Sequence, residues 1–205
     1  MSAELPIYVD VDDVLADTTA ALIRLVRELF AKEVSYEQCH SFDLGQSFGL
    51  SEVERDRLLD AAHDDDVIES MVAIEGAAEI LGGWAARGDR VEIVTGRPPA
   101  TIPATRRWLE REGMPHAALA SVDKYGRQQH LPEAVPLEEL ASRRFRIAVE
   151  DSVSMTQFLV EASDTPVLLL DRPWNRDVRR LDRRVRARVE RVYSWSEIAD
   201  RLGRG

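Results

Sequence analysis

Apolar residues recur along this chain in two rhythms, and the rhythms alternate. Leu5-Pro6-Ile7-Tyr8-Val9 is a short continuous run that stops at Asp10-Val11-Asp12-Asp13, the pattern of a buried strand with acids at its C-terminal end. Segments 91–95, 117–122, 145–149, 166–170 and 191–193 repeat the strand pattern. Elsewhere apolar positions return every three or four residues, as on one face of a helix. Residues 18–32 carry Ala21, Leu22, Leu25, Val26, Leu29 and Phe30 at that spacing, with Asp17 or Thr18 as N-cap. Ser51-Glu52-Val53-Glu54 has the form of a capping box and opens a helix to about residue 62. Helices are also predicted over 76–87, 101–112, 153–162 and 196–202. The Arg-rich stretch 176–191 reads as a solvated helix.

Strands separated by helices of 10–15 residues imply βαβ units and a parallel sheet, so the fold class is α/β with a Rossmann-like core. The rhythm breaks once. Residues 18–77 lie between the first and second strands and are mostly helical, which predicts a small helical cap inserted after strand one. The core is then 1–17 together with 78–205. In such sheets ligands bind beyond the carboxyl ends of the strands. Three strands end in reactive groups: Asp10 and Asp12, Thr95-Gly96, and Glu150-Asp151.

Composition narrows the partners. The 205 residues carry 27 basic and 37 acidic side chains, a net charge of −10, which disfavours a nucleic-acid polymer or an anionic membrane surface. Apolar runs such as Val167-Leu168-Leu169-Leu170 fall far short of the roughly 20 residues that span a bilayer. Met1 to Pro6 show no basic, apolar leader pattern. The one cysteine, Cys39, excludes an intrachain disulfide and fits a reducing compartment, so a cytoplasmic location is expected. Only Lys32 and Lys124 are lysines among the 27 basic residues, which draws attention to Lys124 in a loop after a strand.

Two carboxylates two residues apart, Asp10 and Asp12, can share a hard cation, one as nucleophile and the other managing protons. The plain alternative is an acidic turn that caps the next segment. Thr95 offers a hydroxyl and Gly96 an unobstructed N–H to phosphate oxygens; a simple strand-to-loop turn would look the same. Glu150 and Asp151 could complete a magnesium site or merely cap a helix. Lys124 could neutralise phosphate as a compact ammonium or be solvated.

Taken together, these residues resemble the haloacid dehalogenase superfamily. Asp10-Val11-Asp12-Asp13-Val14-Leu15-Ala16-Asp17 matches its first motif and Val91-Glu92-Ile93-Val94-Thr95-Gly96-Arg97-Pro98 its second. Lys124 matches the third and Val149-Glu150-Asp151-Ser152 the fourth. Within that superfamily the chain is most similar to the 5'(3')-deoxyribonucleotidase-like family. Supporting features are the short cap, the segment Leu169-Leu170-Asp171-Arg172-Pro173-Trp174-Asn175-Arg176, and Arg191-Val192-Tyr193-Ser194-Trp195. The sequence departs from the family where Asp13 replaces the usual Gly, where Glu150-Asp151 replaces Asp-Asp, and in the long gap from Lys124 to Glu150.

The resemblance implies a magnesium-dependent phosphatase. Asp10 attacks phosphorus and forms an aspartyl-phosphate, while Asp12 protonates the leaving oxygen and then activates water. Thr95, Gly96 and Lys124 bind the phosphate. Asp10, the carbonyl of Asp12, Asp151 and Glu150 surround Mg2+. The expected partner is a small phosphorylated metabolite, foremost a nucleoside monophosphate; a homo-oligomer is left open. A sugar phosphate, or a non-catalytic binding protein on the same fold, are the alternatives. A dehalogenase is disfavoured because that chemistry has no need of Asp12. The four histidines share no metal-like spacing and read as surface residues. Asp64-Asp65-Asp66 reads as a solvated turn, and Trp174 and Trp195 as packing residues. The aromatics Phe30, Tyr36, Phe42 and Phe48 read as cap core, with Phe42 or Phe48, flanking a turn at 43–46, able to stack on a base.

Overall fold

A computed structural model describes residues 5–128, 131–179 and 181–203. Its sheet holds β1 (Ile7–Val9), β2 (Val91–Thr95), β3 (Ala118–Ser121), β4 (Ile147–Glu150), β5 (Val167–Leu170) and β6 (Val189–Val192). The spatial order is β3-β2-β1-β4-β5-β6 and every pairing is parallel. This order reverses between β1 and β4, the place where doubly wound sheets open a ligand crevice. The register pairs Val9 with Val149, so the next residues, Asp10 and Glu150, emerge side by side there.

The inner strands are largely apolar because both faces of the sheet are covered, while the edge strand β6 carries Glu190 and Arg191. Side chains alternate across a strand. Ile7 and Val9 therefore enter one cluster with Trp84, Trp108 and Trp195, while Tyr8 enters another with Phe145, Ala148 and Leu159. Helices α5 (Ala77–Ala86), α6 (Ile102–Arg111) and α10 (Trp195–Leu202) cover the first face. The second is covered by α7 (Leu137–Ala141), α8 (Val153–Ser163) and α9 (Arg183–Arg186). Each fully buried Leu or Val there adds about 1.5–3 kcal/mol relative to exposure.

Between β1 and β2 lie α1 (Thr18–Phe30), α2 (Leu44–Phe48), α3 (Glu52–Ala62) and α4 (Asp65–Ser70). They bury a cluster of their own, which includes Leu22, Leu25, Val26, Phe48 and Leu58. Asp17 caps α1, and the reciprocal Ser51–Glu54 box caps α3. The two chain segments that join these helices to the core run side by side. Ala16 pairs with Ala73, the Asp17 N–H donates to the Val72 carbonyl at 2.9 Å, and the Ile74 N–H donates to Leu15 at 2.7 Å.

Several local expectations are corrected. The stretch 176–191 is not one helix: among its described residues only Arg183–Arg186 are helical, and β6 begins at Val189. Some of its charged side chains pair with other segments instead, as Arg191 does with Asp171 and Arg176 with Glu37. The 43–46 turn is the start of α2, with Asp43 accepting from the N–H groups of Gly45 and Gln46. Asp64 is the N-cap of α4, and Asp65 and Asp66 form its first turn, where negative charge offsets the helix dipole. The long gap before Glu150 holds a Val122–Val135 bridge and α7.

Candidate active site

Asp10 continues the β1 ladder, its N–H donating to the Val149 carbonyl at 3.1 Å. Its Oδ1 accepts from Lys124 Nζ at 2.8 Å, and the same ammonium donates to Glu150 Oε1 at 2.8 Å. All three side chains are buried. The sequence reading gave Tyr8 no part in this group, yet its hydroxyl donates to Glu150 Oε1 at 2.9 Å. The signal was the two-residue alternation, which puts Tyr8 and Asp10 on one face. Glu150 Oε2 accepts from the N–H groups of Asp151 and Ser152 at 3.1 and 3.0 Å. Both oxygens of Glu150 are thus engaged by the protein.

Asp151 is fixed by two residues of the segment after β5. Trp174 Nε1 donates to its Oδ2 at 2.7 Å, and Asn175 Nδ2 donates to its carbonyl at 2.8 Å. Trp174 is therefore more than packing. One oxygen from each of Asp10, Glu150 and Asp151 lies within 4.8 Å of the others. Three buried carboxylates face one ammonium, and the surplus negative charge shows in their proton affinities. Burial first, then Glu150 and Asp12, push Asp10 up to about 8 against the pull of Lys124. Burial, then Glu150 and Asp10, hold Asp151 well above the usual carboxylate range. Burial would lower Lys124, but Asp10 and Glu150 more than reverse it and raise it above its ordinary value. A hard divalent cation suits this all-oxygen donor set, since magnesium takes one or two carboxylates and completes its shell with water and phosphate.

Asp12 points elsewhere. Its Oδ1 accepts from Arg97 Nε at 3.0 Å, Arg97 Nη2 at 2.8 Å and Thr18 Oγ1 at 2.7 Å. Burial pushes its carboxyl up, but the Arg97 charge and these hydrogen bonds outweigh burial and hold it below the usual range. Thr95 Oγ1 accepts from the Arg97 N–H at 3.1 Å and lies 3.5 Å from Asp12 Oδ2. Gly96 is there because of close approach: a Cβ on it would sit 3.2 Å from the Tyr125 ring and 3.5 Å from Lys124 Cδ. Asp13 stands at φ +56°, a conformation glycine adopts freely and Asp tolerates. It accepts from the Thr19 N–H at 2.9 Å and the Thr19 hydroxyl at 2.8 Å. Burial raises its carboxyl to about 7.

These groups border a cavity of about 760 Å³ that runs from Asp10, Asp12 and Asp151 to the helices of 18–77. Phe42 is 46 % exposed and meets Tyr125 across the opening at 5.4 Å between ring centroids. Phe48 is buried in the helical cluster, so Phe42 is the freer aromatic face. His63 borders the cavity, half-buried, and burial lowers its proton affinity; reading it as a surface residue missed this. His130 lies outside the described residues. The structure thus brings together Asp10, Lys124, Glu150 and Asp151, places Thr95 and Gly96 at their edge, and turns Asp12 toward Arg97.

Residues 4–124 match the family model described as 5' nucleotidase, deoxy (pyrimidine), cytosolic type C protein. That span holds Asp10, Asp12, Thr95, Gly96 and Lys124. A curated protein of Halalkalibacterium halodurans, named as a candidate nucleotidase, is 23% identical over 188 residues, covering 92% of this chain and 87% of that one. Among solved structures, a haloacid dehalogenase family hydrolase from Deinococcus radiodurans R1 with bound phosphate and sodium aligns at TM-score 0.63 and 18% identity, covering 98% and 96% of the two chains. Protein tyrosine kinase A of Mycobacterium tuberculosis aligns at TM-score 0.68 and 15% identity, covering 98% and 100%. At such identities likeness of structure establishes the fold alone, and chemistry has to be argued from the site.

Proposed function

The chain belongs to the cytosolic type C 5'-nucleotidase family within the haloacid dehalogenase fold, and from that premise we propose a magnesium-dependent phosphomonoesterase acting on nucleoside monophosphates. The carrying observation is the buried group at the sheet edge: Asp10 held by Lys124, with Glu150 and Asp151 beside it and Asp12 two residues on.

In this reading an Asp10 oxygen attacks phosphorus in line as the ester oxygen departs. Asp12, held ionised by Arg97 in the free site, takes up a solvent proton as the phosphate dianion enters and gives it to that oxygen. A water then attacks the aspartyl-phosphate, Asp12 takes its proton, and Asp10 is released with inorganic phosphate. Lys124, the Thr95 hydroxyl and the Gly96 N–H steady the phosphate oxygens, which is the positioning and charge stabilisation such transfers require. Asp10, Asp151 and the Asp12 carbonyl would hold Mg2+, whose charge offsets that of the phosphate. Glu150, with both oxygens occupied, serves chiefly to anchor Lys124.

Residues 18–77 act as a cap over the phosphate end. A cavity of about 760 Å³ admits a small organic group and excludes a folded phosphoprotein or a polymer. Phe42 offers one aromatic face to a base. The test is hydrolysis of 4-nitrophenyl phosphate with Mg2+, followed by kcat/KM for nucleoside monophosphates, sugar phosphates and phosphoamino acids. A nucleotide is expected to lead. A sugar phosphate ahead of every nucleotide by tenfold would overturn the substrate assignment and leave the Asp10 chemistry standing.

A further inference from the structure

Arg97 is the buried charge that the phosphatase reading leaves without a task. It is 5 % exposed, and it is held from every side. Its N–H donates to Thr95 Oγ1 at 3.1 Å, its carbonyl accepts from Ser121 Oγ at 2.7 Å, and Nη1 donates to Thr105 Oγ1 at 3.2 Å. With backbone and one arm of the fork tied down, Nε and Nη2 converge on a single acceptor, Asp12 Oδ1. Thr18 Oγ1 makes the third donor to that oxygen. The other oxygen, Oδ2, is left on the side of Thr95, which is the side of the phosphate end of the cavity. A lysine could not do this, because only the planar fork places two N–H groups on one carboxylate oxygen.

We propose that Arg97 is a positioning residue for Asp12: by saturating Oδ1 it fixes the carboxylate so that Oδ2 alone faces the leaving oxygen and carries the proton in both half-reactions. This rests on the phosphatase reading above. Arg97 is not a phosphate ligand in this account, since Nε and Nη2 are turned to Asp12, Nη2 also meets Met71 Sδ at 3.1 Å, and Nη1 donates to Thr105. Thr105, on α6, extends the positioning one layer further.

The test uses the full chain with Mg2+ and 4-nitrophenyl phosphate. R97A is expected to lower kcat by about thirtyfold or more while KM stays within about threefold. Its affinity for inorganic phosphate, read by calorimetry, is expected within about twofold of wild type. Added guanidinium ion at millimolar levels should restore part of kcat, and methylammonium should restore less. R97K should resemble R97A, and T105V should lose a smaller fraction of kcat. If R97A does not fold, R97K and T105V carry the same comparison. A raised KM and weakened phosphate affinity with kcat retained would make Arg97 a phosphate ligand and overturn the proposal. So would a loss that follows the folded fraction with no rescue by guanidinium. Absence of turnover in the wild-type chain would instead sink the phosphatase reading on which the proposal stands.

Discussion

The two ends of the cavity are built on different principles. At the sheet edge the charged groups are buried, or half-buried in the case of Asp12, and each is held by a partner: Lys124 lies between Asp10 and Glu150, Arg97 grips Asp12, and Trp174 holds Asp151. At the cap end Phe42 stands half-exposed and Asp60 and His63 face open volume. Removing one partner of a buried ion pair costs about 3–5 kcal/mol, whereas a half-exposed ring loses only part of its contact. The sheet edge should therefore govern whether turnover occurs, and the cap end which ester is preferred.

The largest break is at Asp10. Asp10→Asn is expected to lower kcat on any phosphate ester at least a thousandfold, about 4 kcal/mol of barrier. EDTA should match that loss reversibly, with Mg2+ restoring it. Retention of a tenth of the rate by D10N, measured with 4-nitrophenyl phosphate, would exclude the covalent role. Lys124→Arg comes next. The Lys124 ammonium is buried at 2.8 Å from both Asp10 Oδ1 and Glu150 Oε1, a site for a compact point charge and not a wide planar fork, so activity should fall about a hundredfold and thermal stability should fall with it. Lys32→Arg should change neither, because Lys32 lies partly exposed against Glu54 and the Gly49 carbonyl.

Phe42→Ala sharpens the other side of the comparison. Base stacking worth about 1–3 kcal/mol implies a rise in KM for nucleoside monophosphates of about fivefold or more, with glycerol phosphate turnover unchanged. Equal losses on both substrates would remove Phe42 from base recognition. The smallest effect concerns pH. Burial raises Asp13 to about 7 in the folded chain, so its protonated form is favoured on folding. That favour is full below the unfolded value of roughly 4 and is lost as pH rises through about 7. Asp13→Asn keeps the amide oxygen for the Thr19 N–H and tolerates φ +56°. In metal-free buffer it should raise Tm relative to wild type at pH 8 and leave it nearly unchanged near pH 4.

The sheet edge was legible because it is encoded locally. Short apolar runs ending in Asp10, Thr95 and Glu150 place reactive groups at strand ends, and parallel pairing does the rest. The fold class and the inserted helices followed from the same periodicity. What stayed hidden depends on long-range meetings: Arg97 with Asp12 across 85 positions, Trp174 with Asp151 across 23, and His63 turned inward at the end of α3. Nothing in the spacing of these residues marks a partner. The misread 176–191 stretch failed for a related reason, since charge without apolar period does not specify a helix.

The central claim is that Asp10 becomes covalently phosphorylated. Rapid acid quenching of the enzyme with 4-nitrophenyl phosphate and Mg2+, followed by peptide mass spectrometry, tests it directly. The expected result is a phosphoryl adduct on the peptide bearing Asp10, absent in D10N, formed during steady turnover and lost once the substrate is exhausted. An active enzyme that carries no adduct at any quench time, or an adduct on another residue with D10N still turning over, would contradict it.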